Sequence, residues 1–281
     1  MRKRASMQQL KSAIADAAER GRLPLSAYLG QLLKDLRAPS PDAGQRKPTN
    51  TPVSPVMLQQ VFAYSKPDRN ELAGDDMQDA SEWLLRILQE VFEEKPLLRA
   101  LYEVKQRTIV RCRAQGCSHS HEVAAADEIT FHVALKEQEG IVPLQGLIRD
   151  ALRADQLPED YACEDCKELG TSEKVQMYTD LPDNLIVLID RINLETEKKT
   201  TRIGLEFNDV FVGVEQYRMT AFVRHRSNGG KIRTGHYTAF RKSEGKWWEL
   251  DDANVRPASE RDMADNKNNQ SSFLLPQKVK Q

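Results

Sequence analysis

The chain has 281 residues, of which 40% are hydrophobic, and its 41 basic residues face 42 acidic ones. That is enough apolar material to bury a core, while so even a charge balance leaves no electrostatic footprint for a nucleic-acid partner. No apolar run approaches the ~20 residues of a membrane span, and no apolar stretch follows the basic start Met1-Arg2-Lys3-Arg4, so neither a membrane nor a secretory route is expected.

In chain order, helices are expected over 7–20, with Leu10, Ile14 and Ala17 at helical spacing, and over 24–37, with Leu29, Leu32, Leu33 and Leu36 on one stripe. A stretch rich in Pro, Ser, Asn and charge, about 38–53, reads as a mobile loop. Ser54-Pro55 then opens a short helix as N-cap and first residue, with Met57, Val61 and Phe62 on its apolar face. The clearest helix runs from Asp79 to Glu94, where Trp83, Leu84, Ile87, Leu88 and Val91 recur at spacings of three and four. Beyond it the character turns to strand. Thr108-Ile109-Val110 and Ile129 to Leu135 suit β-structure, Pro143 to Leu157 returns to helix, and Leu185 to Ile189 is a buried strand. Further strands follow to Leu250. The expected organisation is therefore α+β: a helical region 1–107, a two-knuckle region 108–180, a β region 181–262, and a polar tail 263–281.

All four cysteines fall in two pairs, Cys112 with Cys117 and Cys163 with Cys166. The two residues between Cys163 and Cys166 let a tight turn aim both sulfurs at one ion, whereas four residues separate Cys112 from Cys117; two such hairpin tips would close a tetrahedral Zn²⁺ site, and four unligated, partly buried thiols are the alternative. In a reducing compartment this pattern means metal more often than disulfides. Arg111, Arg113 and Lys167 flank the pairs and offset the charge of four thiolates. His119 and His121 follow Cys117 and are alternatives to one sulfur, although solvated loop positions suit them better.

The most informative stretch is Gly235-His236-Tyr237-Thr238-Ala239-Phe240, a turn at Glu244-Gly245, then Trp247-Trp248-Glu249-Leu250-Asp251-Asp252. Two strand-like runs about a glycine turn form a hairpin, and its register sets His236 opposite Asp252 or within a residue of it. A histidine and a carboxylate that meet across a ladder have the arrangement of base and orienter in a nucleophilic triad, and equally that of an ordinary surface contact. Register alone leaves Asp251 and Asp252 both open. Of the two tryptophans, one is expected in the core and the other on the surface.

These residues resemble the histidine box of the ubiquitin-specific proteases, which runs GHYTAY, then W, then a hydrophobic residue before FDD or FND. Other segments are similar in the same order, over residues 8 to 260. Met77 to Leu84 resembles the QQDAHEFL segment, the cysteine pairs resemble the zinc knuckles of the fingers subdomain, and Leu181 to Leu188 resembles the LPxxLxxxL strand. The resemblance implies a papain-like ubiquitin-specific protease fold with helical thumb, β-rich palm and zinc-knuckle fingers. It implies His236 as general base, Asp251 as its orienter, and Asp252 as a polar neighbour. It places Asp79 and Tyr237 against the C-terminal tail of ubiquitin, with helix capping as the plainer role for Asp79. The implied reaction is cysteine-type hydrolysis after the C-terminal glycine of ubiquitin, on ubiquitin or ubiquitinated protein, in cytoplasm or nucleus.

Two departures bear on that implication. Nothing resembles the family's cysteine box, GLxNLGNTCYxNS, so the nucleophile segment is absent and the chain alone is expected to be inactive. The fold would then be incomplete at its N-terminus, with an apolar groove along 8–36. Smaller departures are Ser81 in place of His, and Asp190-Arg191-Ile192 in place of Lys-Arg-Phe. An inactive ubiquitin-binding scaffold and a zinc-stabilised interaction domain are the alternatives. Oligomeric state is not legible.

Overall fold

The computed structural model describes residues 79–191, 199–226, 235–252, 254–266 and 269–279. The helices expected over 7–20 and 24–37, the loop 38–53, the Ser54-Pro55 helix and the groove along 8–36 lie outside the described residues. Two compact units divide the chain between Leu98 and Arg99.

In the first unit, helix α1 spans Ala80–Glu94. Asp79 caps it: extended backbone lets its Oδ1 accept from Ser81 N at 2.8 Å and Glu82 N at 3.0 Å. Those amides are among the donors a helix start leaves unpaired. The hydroxyl of Ser81 donates to the same oxygen. The predicted apolar stripe is half-buried, whereas Glu90 and Phe92 are the buried positions. A four-residue helix α2, Pro96–Arg99, follows.

The second unit is built on sheets. Strands β1 (Val104–Cys112) and β2 (Ser120–Glu128) form a hairpin, and β1 also pairs with β6 (Ser172–Asp180), which is edged by β5 (Asp155–Gln156). This four-stranded sheet, in the order β2-β1-β6-β5, carries the cysteine pairs at one end. The chain between β2 and β5 does not stay with it. Strand β3 (Phe131–Ala134) crosses to a second sheet and runs parallel to β7 (Val187–Asp190). The reason lies in its pattern: Phe131 and Val133 are fully buried while His132 and Ala134 are exposed, so one face must find a core. Strand β4 (Ile141–Pro143) pairs in parallel with β8 (Arg202–Gly204) and leads into helix α3, Leu144–Ala151. The helix is shorter than the expected 143–157 and buries Leu144, Leu147 and Ile148 in the same core as Phe131 and Val133.

The larger sheet has the order β13-β12-β11-β10-β14-β7-β3. Its long central strand β10 (Glu215–Arg226) is also met at its start by β9 (Val210–Val212). On one side lie β11 (His236–Ser243), β12 (Lys246–Asp251) and β13 (Asn254–Pro257). On the other lies β14, Asn269–Lys278, reached through a four-residue helix α4, Glu260–Met263, with a Ser259–Asp262 capping box.

Strand β14 corrects the expected polar tail over 263–281. It is interior, hydrogen-bonded between β10 and β7, with Phe273 and Leu274 buried. Its composition misleads because Gln270 and Ser271 are polar yet fully buried. Asp265 answers for Ser271: its Oδ1 accepts from the Ser271 amide at 3.0 Å and hydroxyl at 2.8 Å. Its Oδ2 accepts from Arg191 Nη2 at 3.0 Å and from Ile203 N at 3.2 Å. Arg191 in turn donates to the carbonyls of Ser271 at 2.6 Å and Thr201 at 2.7 Å. The two charges are 3% and 0% exposed, so each is supported almost wholly by the other and by hydrogen bonds.

Removing one member of such a pair leaves the other charged and buried. Asp265→Ala is expected to lower unfolding stability by about 3–5 kcal/mol, seen as a lower urea midpoint. An unchanged midpoint would show that β14 does not depend on this contact.

Candidate functional site

Strands β10, β11 and β12 present one continuous face. Cross-strand partners on it are Phe222 with Phe240, Phe240 with Glu249, and Arg224 with Thr238. Its middle is apolar, with the Phe222 and Phe240 rings stacked at 4.7 Å and Trp247 edge-on to Phe207 at 5.3 Å. Trp247 is thus the tryptophan that joins the core. Toward one end the face turns polar. Arg224 lies over the Phe240 ring at 4.4 Å, and the buried carboxylate of Glu249 pairs with Arg256. His236 and Asp251 continue this face beyond Thr238, where burial gives way to about one-third exposure of each side chain.

The turn that sets their register is the one expected. Glu244 and Gly245 both have positive φ, 50° and 76°, and Ser243 pairs with Lys246 across them. Two left-handed residues give a hairpin turn the twist its strands need. Ala239 then pairs with Leu250, so Asp251 stands opposite Thr238 and diagonal to His236. Diagonal neighbours on one face are within reach of a long side chain. His236 Nε2 hydrogen-bonds Asp251 Oδ1. The carboxylate on the imidazole is therefore that of Asp251. Asp252 lies past the strand end with φ 51°, and its carboxylate is within 4.8 Å of the other two groups. An ionised carboxylate only accepts, so in the neutral ring this bond puts the proton on Nε2 and leaves the lone pair on Nδ1.

Gly235 precedes this histidine for a steric reason. A Cβ there would overlap the Arg226 carbonyl oxygen and His225 Nε2, and would stand 2.9 Å from His225 Cε1. Tyr237 alternates to the opposite face of the sheet from His236, with its ring 4.6 Å from that of His225. Tyr237 and His236 are neighbours in sequence but not on one face. Asp79 belongs to the other unit, where it caps α1.

The cysteines form a second centre. Two backbone turns position them. Cys112 N bonds His119 O at 2.9 Å and Cys117 N bonds Ala114 O at 3.1 Å; Cys163 N bonds Glu168 O at 2.9 Å and Lys167 N bonds Cys163 O at 3.1 Å. Lys167 closes its turn in the left-handed region, φ 62°. The four sulfurs lie within 4.8 Å of one another, with Cys112 to Cys166 at 3.7 Å and Cys117 to Cys163 at 3.8 Å. These are no disulfide distances. They match the edge of a sulfur tetrahedron, about 3.8 Å for metal–sulfur bonds of ~2.3 Å. Hydrogen bonds from Thr171 and from the Ala114 amide hold the Cys112 thiol down at about 6, whereas at Cys166 burial and the neighbouring sulfurs outweigh the Glu168 backbone hydrogen bond and push the thiol up to about 12. The cluster could hold a metal ion, and neither His119 nor His121 is needed to complete it. The flanking cations are engaged otherwise: Arg111 and Arg113 both turn to Glu173, at 2.5 and 3.6 Å.

A cavity of about 850 Å³ over β3, α3, β6 and β7 includes His132 and Asp190 in its lining. Thr130 Oγ1, His132 and Asp190 are in line at 3.0 and 3.2 Å, and the Asp190 hydrogen bond raises His132 above the usual imidazole range. Thr130 is 6% exposed.

The model of the ubiquitin carboxyl-terminal hydrolase family matches residues 2–275. The chain belongs to the ubiquitin carboxyl-terminal hydrolase family. Ubiquitin carboxyl-terminal hydrolase 15 of Bos taurus and of Homo sapiens each align at 30% identity over 116 residues, covering 36% of this chain and 12% of the relative. The SAGA DUB module of Ubp8, Sgf11, Sus1 and Sgf73 bound to monoubiquitin is similar at TM-score 0.70 and 16% identity, over 98% of this chain and 64% of that one. A yeast SAGA DUB module with a mutant Sgf73 gives 0.66 at 16% identity, over 98% and 64%. The chain therefore has the α+β ubiquitin-specific protease fold, and it spans less than two thirds of these relatives. Among its described residues no helix is long and apolar enough to cross a membrane.

The backbone approach at Gly235 makes a direct prediction. Gly235→Ala is expected to destabilise the second unit by about 1–3 kcal/mol and to move the His236 ring signals in an NMR spectrum. Unmoved signals with unchanged stability would show that the close approach is not required.

Proposed function

We propose that this member of the family is a ubiquitin-binding deubiquitinase domain that carries the base half of a cysteine-type catalytic site. The observation that supports this most is the His236–Asp251 hydrogen bond at the open end of β11 and β12. In the proposed chemistry, Asp251 keeps the His236 proton on Nε2, which leaves Nδ1 to accept the proton of a cysteine thiol. The thiolate attacks the carbonyl carbon of ubiquitin's C-terminal glycine, and His236 returns that proton to the departing amine. Water then enters by the same route: His236 takes its proton, the hydroxide displaces the thiolate, and the ubiquitin carboxylate is released. Asp252 supports the site as a polar neighbour. Asp79 and Tyr237 enter as tail contacts through the family resemblance.

The four cysteines are all engaged at the metal-binding tip, where we assign them a structural zinc. None of them stands beside His236, so the thiol is not supplied by these 281 residues. The neighbouring DUB modules bound to ubiquitin support ubiquitin as the partner. The working compartment is the cell interior, cytoplasm or nucleus, where thiols stay reduced.

The test is to incubate the purified chain with ubiquitin bearing a C-terminal fluorogenic amide, and to follow binding of free ubiquitin in parallel. Binding without turnover is expected. Loss of a triad nucleophile typically costs about 10⁶-fold in rate, which places turnover below detection. Turnover would show that another group acts as nucleophile, and absence of both binding and turnover would sink the ubiquitin reading.

A further inference from the structure

Beside the four sulfurs a second set of donor atoms converges on one point. His119 stands just before β2 and His121 is the second residue of that strand. His119 Nε2 and His121 Nδ1 face each other at 3.1 Å. Glu164, in the turn between Cys163 and Cys166, brings Oε2 to 3.6 Å from His119 Nε2. All three donor atoms lie within 4.8 Å of one another. Each cysteine turn thus contributes to this set as well as to the sulfur cluster.

We propose that His119, His121 and Glu164 form a second transition-metal site that takes a divalent ion of the zinc class. Two imidazole nitrogens aimed at one another have a single proton to share, and doubly protonated rings repel. A divalent ion in place of that proton accepts both lone pairs and the carboxylate at once. Bonds of about 2.0–2.2 Å to nitrogen and oxygen give tetrahedral edges of about 3.3–3.6 Å, which the two observed separations bracket. Two imidazoles and a carboxylate suit zinc, nickel or copper rather than magnesium or calcium. The His119 side chain is 25% exposed and that of Glu164 is 64% exposed, so an ion enters from solvent and its fourth position is open to water or to a donor from another molecule.

Charge favours the arrangement. Four thiolates around zinc carry a net charge of −2, and Arg111 and Arg113 are drawn to Glu173. A zinc ion on two neutral imidazoles and one carboxylate carries +1 and sits next to that negative centre. This clause alone rests on the zinc assignment made above; the donor geometry does not.

The test is equilibrium dialysis of the intact chain against zinc, with metal content measured for the wild type, His121→Ala and Glu164→Gln. About two zinc ions per chain are expected for the wild type and about one for each variant. Cobalt substitution separates the sites, because only the sulfur cluster gives an intense thiolate charge-transfer band. That band is expected to persist in both variants, which also reports that the tip is still folded. One zinc in the wild type that both variants retain, or two in both variants, would overturn the proposal. Loss of the thiolate band in His121→Ala would also overturn it, by making His121 a ligand of the sulfur centre. A wild type that binds cobalt without a thiolate band, and loses it in His121→Ala, would uphold the second site while removing the first.

Discussion

The placement of β14 between β10 and β7 is the constraint on which the larger sheet rests. That strand arrives late in the chain and must bury Gln270 and Ser271 to reach its place. A buried polar group without a partner costs on the order of 1–3 kcal/mol, so the segment docks only where partners wait for it. Asp265 and Arg191 meet that requirement for Ser271, and they tie β14 to β7 and β8 through backbone contacts at Ser271, Thr201 and Ile203. With β14 in place, β10 is held along its length, and β11 and β12 are laid down from its other edge.

The candidate catalytic pair follows from that scaffold. His236 and Asp251 come from strands whose register is fixed by a left-handed turn at one end and by stacked Phe222 and Phe240 in the middle. Their contact forms at the opposite end, where the face has already changed from apolar to charged. A side chain on a strand is held more firmly than one on a loop, and orientation is what a general base needs. The cysteine tip follows the same economy on the smaller sheet: short turns at the ends of paired strands aim the sulfurs, while β1 and β6 hold the turns together.

Legibility in the sequence followed how local each constraint is. The β11–β12 hairpin, the two cysteine turns and the Asp79-led helix each depend on residues within about 20 positions, and all three could be read directly. The distinction between Asp251 and Asp252 needed one more fact, the true register, which converted a facing pair into a diagonal one. What could not be read depends on distant partners. Strand β14 looks like a tail because its buried Ser271 is satisfied by Asp265 and, 80 positions away, by Arg191. Arg191 showed only as part of a departure from the family pattern, with nothing local to mark it as a buried anchor. The crossing of β3 to the larger sheet likewise depends on β7, which is more than 50 positions further on. Gly235 carried a usable signal, since a glycine before a functional histidine in a strand marks a close backbone approach.

As proposed, Asp251 holds the His236 imidazole in one tautomer, with the lone pair on Nδ1. Long-range nitrogen–proton NMR correlations of the histidine rings test this directly. The Nε2–H tautomer is expected for His236 in the wild type and in Asp252→Ala, and its loss in Asp251→Ala. A His236 ring protonated on Nδ1, or one indifferent to Asp251→Ala, would contradict it.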